Sequence, residues 1–378
     1  MEEKLKLYLR TMISNKGSDL HVKSGAIVRV RIDGILKLLG KEAVSAPEVD
    51  TIAQEIMTQE QYEKLKSDKS LDFTYVLSEE YRFRVNFFYQ MDGLSAVFRV
   101  IPVKIASLDE LNLPEVIKTF TQIQRGLVLV TGVTGSGKST TLAALLDKIN
   151  NEQKKHIITI EDPIEFIHKD KGCLINQRSI GQDTRSFSDA LRGALREDPD
   201  IILVGEMRDL ETIDIALHAA NTGHLVFSTL HTLDAKETID RIIGMFEKEE
   251  QNRIRGSLAS VLEGVISQRL IPTKTGGRIA GIEILKKTAR IQQLIMENRD
   301  YEIPDALSEG KEIYGTQTFD QALLDLVRFD TISQETALEY ASNPSDLKLK
   351  MQGVGKGALV DENAYMRKTE VFDFKEVE

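Results

Sequence analysis

A glycine-rich segment at residues 132–139 carries the strongest chemical signal in the chain. It reads GVTGSGKS and matches the pattern G-x-x-x-x-G-K-S/T, with an apolar stretch before it and a helical pattern after it. Glycines let such a turn curl so that backbone N–H groups point inward at phosphate oxygens, and the following helix adds the positive end of its dipole. The lysine neutralises phosphate charge and the serine hydroxyl binds Mg²⁺. The segment therefore predicts a site for ATP and Mg²⁺ made by Gly132, Thr134, Gly135, Ser136, Gly137, Lys138, Ser139 and Thr140.

A second signal is the sequence DIILVGE at residues 200–206. An apolar strand that ends in a carboxylate is the usual position of the acid that organises the metal in such a site. Gly205 stands where an aspartate commonly precedes the glutamate, so Glu206 is predicted to act on Mg²⁺ alone, through water, opposite Ser139. A solvated acid at a strand end is the competing interpretation.

Three carboxylates follow another predicted strand, in the sequence IEDPIEF at residues 160–166. A carboxylate near the terminal phosphate can orient and deprotonate the attacking water. Glu165 is the preferred candidate for this base and Glu161 the second. With Lys138 and Glu206 they form the predicted catalytic set. An ordinary acidic turn would have the same composition.

Histidines and arginines outside these segments could complete the site. His224 precedes a predicted strand and His231 follows it, and we expect both at strand ends beside the nucleotide, where an imidazole can hydrogen-bond a phosphate. Arg82 and Arg84 alternate with apolar residues, which places both on one strand face, and Arg99 lies in the neighbouring run. Arginines often stabilise the charge of a phosphoryl-transfer transition state. Structural histidines and a merely solvated arginine face remain alternatives.

Composition limits the class of function. The 378 residues are 41% hydrophobic and 29% charged, with a formal net charge of −10, which suits a globular protein of about two or three domains. The negative charge disfavours nucleic acid as the main partner. The single cysteine, Cys173, excludes an intrachain disulfide and a cysteine-cluster zinc site. There is neither an apolar run of about 18 residues nor a signal-peptide pattern, so we expect a cytosolic protein.

Hydrophobic periodicity predicts two different patterns along an α/β chain. The first hundred or so residues indicate a small mixed domain with a hairpin across Asp33-Gly34. Beyond them, apolar strands alternate with amphipathic helices, which implies a mostly parallel sheet with helices on both faces. Later helices are predicted over 251–270, ended by Pro272, and over 318–328. The four buried strands are predicted at 126–131, 156–161, 200–205 and 225–230. The predicted boundaries are a domain at 1–103, a linker at 104–118, a domain at 119–350 and a flexible tail at 351–378.

The four motif blocks, in this order, resemble the bacterial secretion ATPases, and most closely the PilT/PilU branch, the retraction motors of type IV pili. The resemblance runs from Ser18 to about residue 345 and includes the phosphate loop, IEDPIEF, IILVGEMRDLET and TGHLVFSTLHT. It implies a PAS-like domain followed by a RecA-like P-loop ATPase domain with a C-terminal helical region. It also implies a ring of six subunits with nucleotide held between the two domains.

Family roles carry over to matching residues of this chain. The resemblance implies that Lys138 and Ser139 bind phosphate and Mg²⁺, that Glu206 is the Walker B acid and that Glu165 activates water. It implies nucleotide sensing by the histidines and closure over the phosphates by the arginines, at His224, His231, Arg82, Arg84 and Arg99.

The same resemblance implies an ATP-hydrolysing motor for pilus retraction and twitching motility. Expected partners are an inner-membrane platform protein of the PilC type and a paralogous retraction ATPase, at the cytoplasmic face of the inner membrane at the pilus base, and no nucleic acid is expected. Residues 289–295 depart from the family's A-I-R-x-L-I pattern, and residues 341–347 and the long tail are more similar to PilU. Whether the protein retracts pili alone or assists a second motor stays open.

Three alternatives share parts of this pattern. Assembly ATPases of type IV pili and type II secretion have the same core but usually carry a four-cysteine zinc site and an extra N-terminal domain. A nucleic-acid translocase could use a RecA-like core, although the acidic composition weakens this idea. A nucleotide-gated interaction protein without hydrolysis is the third, and the presence of Lys138, Glu206 and Glu165 argues against it.

Overall fold

The computed structural model describes residues 1–32, 34–78, 81–101 and 105–353. Asp33 of the predicted hairpin turn, the first residue of the predicted linker and most of the predicted tail lie outside these ranges. The chain forms two compact units. Among the described residues, one contains Met1–Leu270 and Ile279–Thr318, and the other contains Ile271–Arg278 and residues 319–353. The boundaries that the sequence suggests at residues 103 and 118 stay predictions.

A six-stranded antiparallel sheet and three helices form the N-terminal part of the first unit. Its elements are α1 (Glu2–Ser14), β1 (Asp19–Lys23), β2 (Ala26–Ile32), β3 (Ile35–Val44), α2 (Ala46–Ile56), α3 (Gln59–Asp68), β4 (Ser70–Val76), β5 (Arg82–Gln90) and β6 (Gly93–Ile101). The strand order is β3-β2-β1-β6-β5-β4.

Residues on this sheet alternate between a buried and an exposed face, as the pleat requires. Phe83, Val85 and Phe87 of β5 are buried in the apolar core. The rings of Phe87 and Phe98 meet edge to face with centroids 6.0 Å apart, a geometry that adds to burial. The polar residues between them are therefore left on the opposite face.

A seven-stranded sheet forms the second half of the first unit. Its strands are β7 (Gly126–Thr131), β8 (His156–Glu161), β9 (Leu174–Ser179), β10 (Ile201–Val204), β11 (Leu225–Leu230), β12 (Leu262–Pro272) and β13 (Arg278–Lys286). The strand order is β13-β12-β7-β11-β10-β8-β9, and the pairs from β12 to β9 are all parallel. The four predicted buried strands are thus confirmed as β7, β8, β10 and β11, with β10 one residue shorter at each end.

Helices cover both faces of this sheet. They are α4 (Lys138–Glu152), α5 (Phe187–Ala194), α6 (Leu210–Asn221), α7 (Ala235–Gly244), α8 (Lys248–Val261), α9 (Ala289–Met296), α10 (Ile303–Glu309) and α11 (Lys311–Tyr314), with 3-10 turns at Glu115–Gln122 and Asp300–Glu302. Leu127 and Leu129 of β7 join one apolar cluster, and Val128 and Val130 join the other. The strand is apolar throughout because both of its faces are buried.

The second unit contributes three further helices. They are α12 (Phe319–Arg328), α13 (Gln334–Tyr340) and α14 (Pro344–Met351). The helix predicted over 318–328 is therefore confirmed as α12. No helix in the described part of the chain combines the length and apolarity needed to cross a membrane.

The single long helix predicted over 251–270 is wrong. Helix α8 ends at Val261, Leu262 has an extended backbone (φ −68°, ψ 110°), and the chain continues as β12 through Pro272. The apolar spacing of Val265 and Ile266 fits a helix, but both residues lie on a strand paired with β7. Sheet pairing in the core has overridden the local pattern, because apolar runs of this length suit either structure.

Gly264 on β12 provides a test of this correction. An added Cβ there would lie 2.1 Å from a ring carbon of Phe120, so Gly264→Ala is expected to lower the free energy of unfolding by about 1–3 kcal/mol through overpacking. Denaturant unfolding followed by circular dichroism measures it.

Gly256 is the matched control. It lies in α8 with open space around the position of a Cβ, so Gly256→Ala is expected to stabilise the protein by about 0.5–1 kcal/mol through helix propensity. A Gly264→Ala protein as stable as the Gly256→Ala protein would contradict the packing of β12 against Phe120.

Candidate active site

The phosphate loop connects β7 to α4 at the carboxyl edge of the parallel sheet. Its lysine is turned back onto its own loop, since Lys138 Nζ donates to the carbonyls of Gly132 at 2.8 Å and Val133 at 3.1 Å. Only 8% of Lys138 is exposed. A buried ammonium that is hydrogen-bonded to carbonyl oxygens can exchange these partners for the phosphate oxygens of a ligand.

Two glycines give the loop its shape. Gly137 has φ +94° directly before α4, and Gly132 has φ +142°. A Cβ at Gly132 would lie 2.4 Å from the carbonyl oxygen of Gln268 and 2.5 Å from Oγ of Ser136. The loop can pack this closely only because a hydrogen replaces the side chain.

The start of α4 is open to an anion. The backbone amide of Thr141 donates to the Gly137 carbonyl at 3.0 Å and closes the first turn. The residue before the helix, Gly137, has no side chain that could cap the amides of the first turn. These N–H groups and the helix dipole favour a negative charge at this position.

Glu206 lies directly beyond β10 and faces the loop. Burial lowers the pKa of Lys138, and the carboxylates of Glu206 and Glu165 oppose that shift. The two acids that the sequence assigned to metal and water therefore both lie within electrostatic range of the Lys138 ammonium.

Two cationic or polar groups hold the Glu206 carboxylate. Arg208 Nε lies 2.7 Å from Glu206 Oε2, and His231 Nε2 lies 3.3 Å from Glu206 Oε1. A cavity of about 140 Å³ opens beside them, lined also by Arg241. The prediction missed Arg208 as a site residue, although it lies within the quoted block IILVGEMRDLET.

The glycine before Glu206 has a packing reason. The amide of Gly205 donates to the Ile160 carbonyl at 2.7 Å, and an added Cβ would lie 3.1 Å from the same oxygen. An aspartate at this position would therefore require the end of β8 to shift by a few tenths of an ångström.

The two candidate bases occupy different environments. Glu161 is half-buried: its Oε1 accepts hydrogen bonds from Thr159 at 2.6 Å and from Gln177 at 3.3 Å, and desolvation of its carboxyl raises its pKa. The Glu165 side chain is exposed, while its backbone amide donates to Glu161 Oε2 at 3.3 Å. Glu161 thus supports the turn that carries Glu165. Neither Thr159 nor Gln177 was predicted, because no motif marks them.

The two histidines lie at opposite ends of β11. His231 follows the carboxyl end of the strand, whereas His224 precedes its amino end, where its carbonyl accepts from the amide of Gly126, the first residue of β7. A six-residue strand separates the two positions, a distance of about 20 Å at 3.3 Å per residue. The expectation that both lie at strand ends beside the nucleotide is therefore wrong for His224 within one chain, because His224 lies at the sheet edge opposite the phosphate loop.

The three predicted arginines share one face of the antiparallel sheet. Arg84 and Arg99 are directly paired across β5 and β6. Arg99 Nε donates to the buried Asp19 at 2.7 Å. The Nε atom of Arg82 is buried without a hydrogen-bond partner among the residues that the structure describes. The shared face is confirmed, and closure of these arginines over a phosphate stays a prediction.

The residues present fit a Mg²⁺ ion that arrives with a nucleotide. Within the described ranges no group of three His, Cys, Asp or Glu side chains could hold a metal ion. Magnesium is commonly bound by one or two protein ligands, phosphate oxygens and water. The Ser139 hydroxyl at the start of α4 and the Glu206 carboxylate are a donor set of that kind. Ser136 of the loop is 2% exposed, and its hydroxyl has no hydrogen-bond partner among the described residues. A free donor of this kind is expected in a loop that binds an oxyanion.

Comparison with known proteins gives consistent matches over most of the chain. The family model of type II/IV secretion system proteins matches residues 1–322. The type IV pilus retraction ATPase PilT of Pseudomonas aeruginosa is 48% identical over 329 residues, covering 87% of this chain and 95% of that protein. The type IV pilus ATPase PilU of the same organism is 37% identical, covering 91% of this chain and 90% of that protein.

A solved structure agrees with the fold. The crystal structure of the pilus retraction motor PilT with bound ADP superposes with a TM-score of 0.86 at 42% identity, covering 91% of this chain and 98% of that one. With the parallel sheet, the phosphate loop and the acids at its strand ends, these matches show that the chain belongs to the type II/IV secretion system proteins, in the branch of type IV pilus retraction ATPases.

Proposed function

We propose that this protein is an ATP-hydrolysing motor that powers the retraction of a type IV pilus. The observation that carries the proposal is the buried Lys138 ammonium, hydrogen-bonded to carbonyls of the phosphate loop, with the carboxylates of Glu206 and Glu165 close enough to affect its pKa. A binding protein without hydrolysis needs the lysine and the loop, but it does not need an exposed carboxylate such as Glu165 near that lysine.

Binding of ATP would use groups that the loop already presents. Lys138 would exchange its two carbonyl partners for phosphate oxygens, and the amides at the start of α4 would hold the same phosphates. The exchange would require little movement of the lysine, because its ammonium is already buried and lies close to the loop backbone. Mg²⁺ bound with the nucleotide at Ser139 and Glu206 would neutralise phosphate charge.

In hydrolysis, Glu165 and Glu161 would have different roles. Glu165 would orient the attacking water and accept its proton, since its carboxylate is exposed and faces Lys138. Glu161 would position Glu165 through the hydrogen bond that its carboxylate accepts from the Glu165 backbone amide. Arg208 and His231 would keep the Glu206 carboxylate in a fixed orientation towards the metal side of the site.

Force would require an assembly larger than one chain. We propose a homohexamer in which the arginines Arg82, Arg84 and Arg99 close over the phosphates, and a nucleotide-sensing role for His231. For His224, which lies at the far sheet edge, a role at the nucleotide would need a neighbouring subunit. The proposed partners are an inner-membrane platform protein of the PilC type and a paralogous retraction ATPase, with the motor on the cytoplasmic side of that membrane.

The similarity to the protein named PilT, 48% against 37% for the one named PilU, favours a primary retraction motor. Deletion of the gene is expected to give hyperpiliated cells without surface motility, because pili would be assembled but not withdrawn. Pilus counts by electron microscopy and twitching assays measure it, with deletion of any paralogue as the control. Normal piliation with lost motility would indicate an accessory motor.

Lys138→Ala is expected to abolish ATP turnover, because the phosphates lose their main counter-charge. Phosphate release by the purified protein with Mg²⁺ measures it. Lys148→Ala is the control and is expected to leave turnover unchanged, because this half-buried lysine lies further along the same helix and pairs with Glu152. Near-normal turnover in the Lys138→Ala protein would defeat the assignment of the loop.

Glu165→Gln is expected to lower turnover by about 10²–10⁴-fold, the usual contribution of a general base, while ATP still binds. Glu161→Gln should cost less, because its role is to support the turn. Single-turnover hydrolysis with calorimetric binding of ATP separates the two effects. A larger loss for Glu161→Gln than for Glu165→Gln would reverse the proposed roles.

A further inference from the structure

Gln268 is a buried polar residue outside every motif of the chain. It lies on β12, which runs parallel to β7 and pairs Ser267 with Thr131, the last residue before the phosphate loop. Only 1% of Gln268 is exposed. Amide side chains are rarely buried to this degree without a specific partner.

Its partner is at the other end of the loop. Gln268 Nε2 donates to Thr141 Oγ1 at 2.8 Å, and the amide of Thr141 closes the first turn of α4 on Gly137. One residue earlier on the strand, the Ser267 hydroxyl accepts a hydrogen bond from Thr131 at 2.9 Å. Strand β12 therefore holds the loop both where it leaves β7 and where it enters α4.

The backbone of Gln268 also lies tightly against the first residue of the loop. Its carbonyl oxygen and the Ser136 hydroxyl flank Gly132. A Cβ added at Gly132 would lie 2.4 Å from the first oxygen and 2.5 Å from the second, which leaves no room for a side chain. Ser136 Oγ and Gln268 Oε1 are both buried without a partner among the described residues. Unpaired polar atoms of this kind are uncommon in a protein interior, and here both lie at the phosphate loop.

We propose that Gln268 is a positioning residue for the binding of ATP at the phosphate loop. Its amide fixes the first turn of α4 through Thr141, so that the loop amides and Lys138 keep the geometry that grips phosphate. The inference rests on the phosphate-binding role proposed above and adds a residue on a strand that carries none of the motifs.

Gln268→Met tests the role, since methionine has a similar length and lacks the hydrogen bond. The dissociation constant for ATP, measured by calorimetry on the full chain, is expected to rise about five- to tenfold, the equivalent of one lost hydrogen bond. The KM for ATP should rise by the same factor while kcat stays within about threefold, because the loop holds the phosphates in the ground state and the transition state alike.

Thr141→Val tests whether Gln268 acts through the helix. It removes the acceptor and leaves Gln268 in place, so it should produce the same loss of affinity. The double variant should be no weaker than either single variant, because residues that share one interaction are not additive. Additive losses would overturn the proposed route.

Gln251→Met is the matched control. Gln251 is a partly buried glutamine of α8 whose Nε2 donates to the Phe246 carbonyl at 3.0 Å, so the same chemical change is made away from the loop. Its affinity for ATP is expected to equal that of the unmodified protein. A loss as large as that of Gln268→Met would mean that the effect is one of general stability.

The outcomes separate this inference from the proposed function. An unmodified protein that neither binds nor hydrolyses ATP would defeat the proposed function itself. An active protein whose Gln268→Met variant binds ATP normally would overturn only the role of Gln268. If the methionine variant does not fold, Thr141→Val alone decides, and unchanged affinity there overturns the inference.

Discussion

The candidate active site depends on one buried positive charge, the ammonium of Lys138. Lys138 is almost enclosed, its ammonium is hydrogen-bonded to two carbonyls of its own loop, and the nearest opposing charges are two carboxylates. Removing an ammonium from water is unfavourable unless partners compensate it. A triphosphate provides far more compensation than carbonyl dipoles do, so the loop suits a polyanionic ligand, and we propose that the nearby acids act on that ligand.

Sheet topology explains why the acids meet the lysine. In a parallel sheet the carboxyl ends of all strands lie at one edge, where ligands of α/β proteins bind. Strands β7, β10 and β8 end there with the phosphate loop, Glu206 and the acidic turn. The same geometry separates the histidines, because β11 ends at this edge before His231 and starts at the opposite edge after His224. One strand direction thus decides which residues can share the site.

Much of the fold and of the candidate site could be predicted from the sequence, and the predictions that were wrong or incomplete have physical causes. The buried strands and the motif acids were found because apolar runs and glycine spacing are local signals. The helix predicted over 251–270 was wrong since Val265 and Ile266 satisfy either periodicity, and only pairing with β7 selects the strand. Arg208, Gln177 and Gln268 were missed because their importance comes from contacts between segments distant in sequence, which spacing does not report. The placement of His224 failed because a strand residue was assigned to an edge without regard to strand direction.

The most direct measurement is a structure of the protein with Mg²⁺ and a non-hydrolysable ATP analogue. The account predicts that Lys138 Nζ leaves the carbonyls of Gly132 and Val133 for the phosphate oxygens, with the metal at Ser139 and the Glu206 side, and with Glu165 facing the terminal phosphate. A nucleotide bound elsewhere, or a lysine still tied to its own loop while the acids point away, would contradict it.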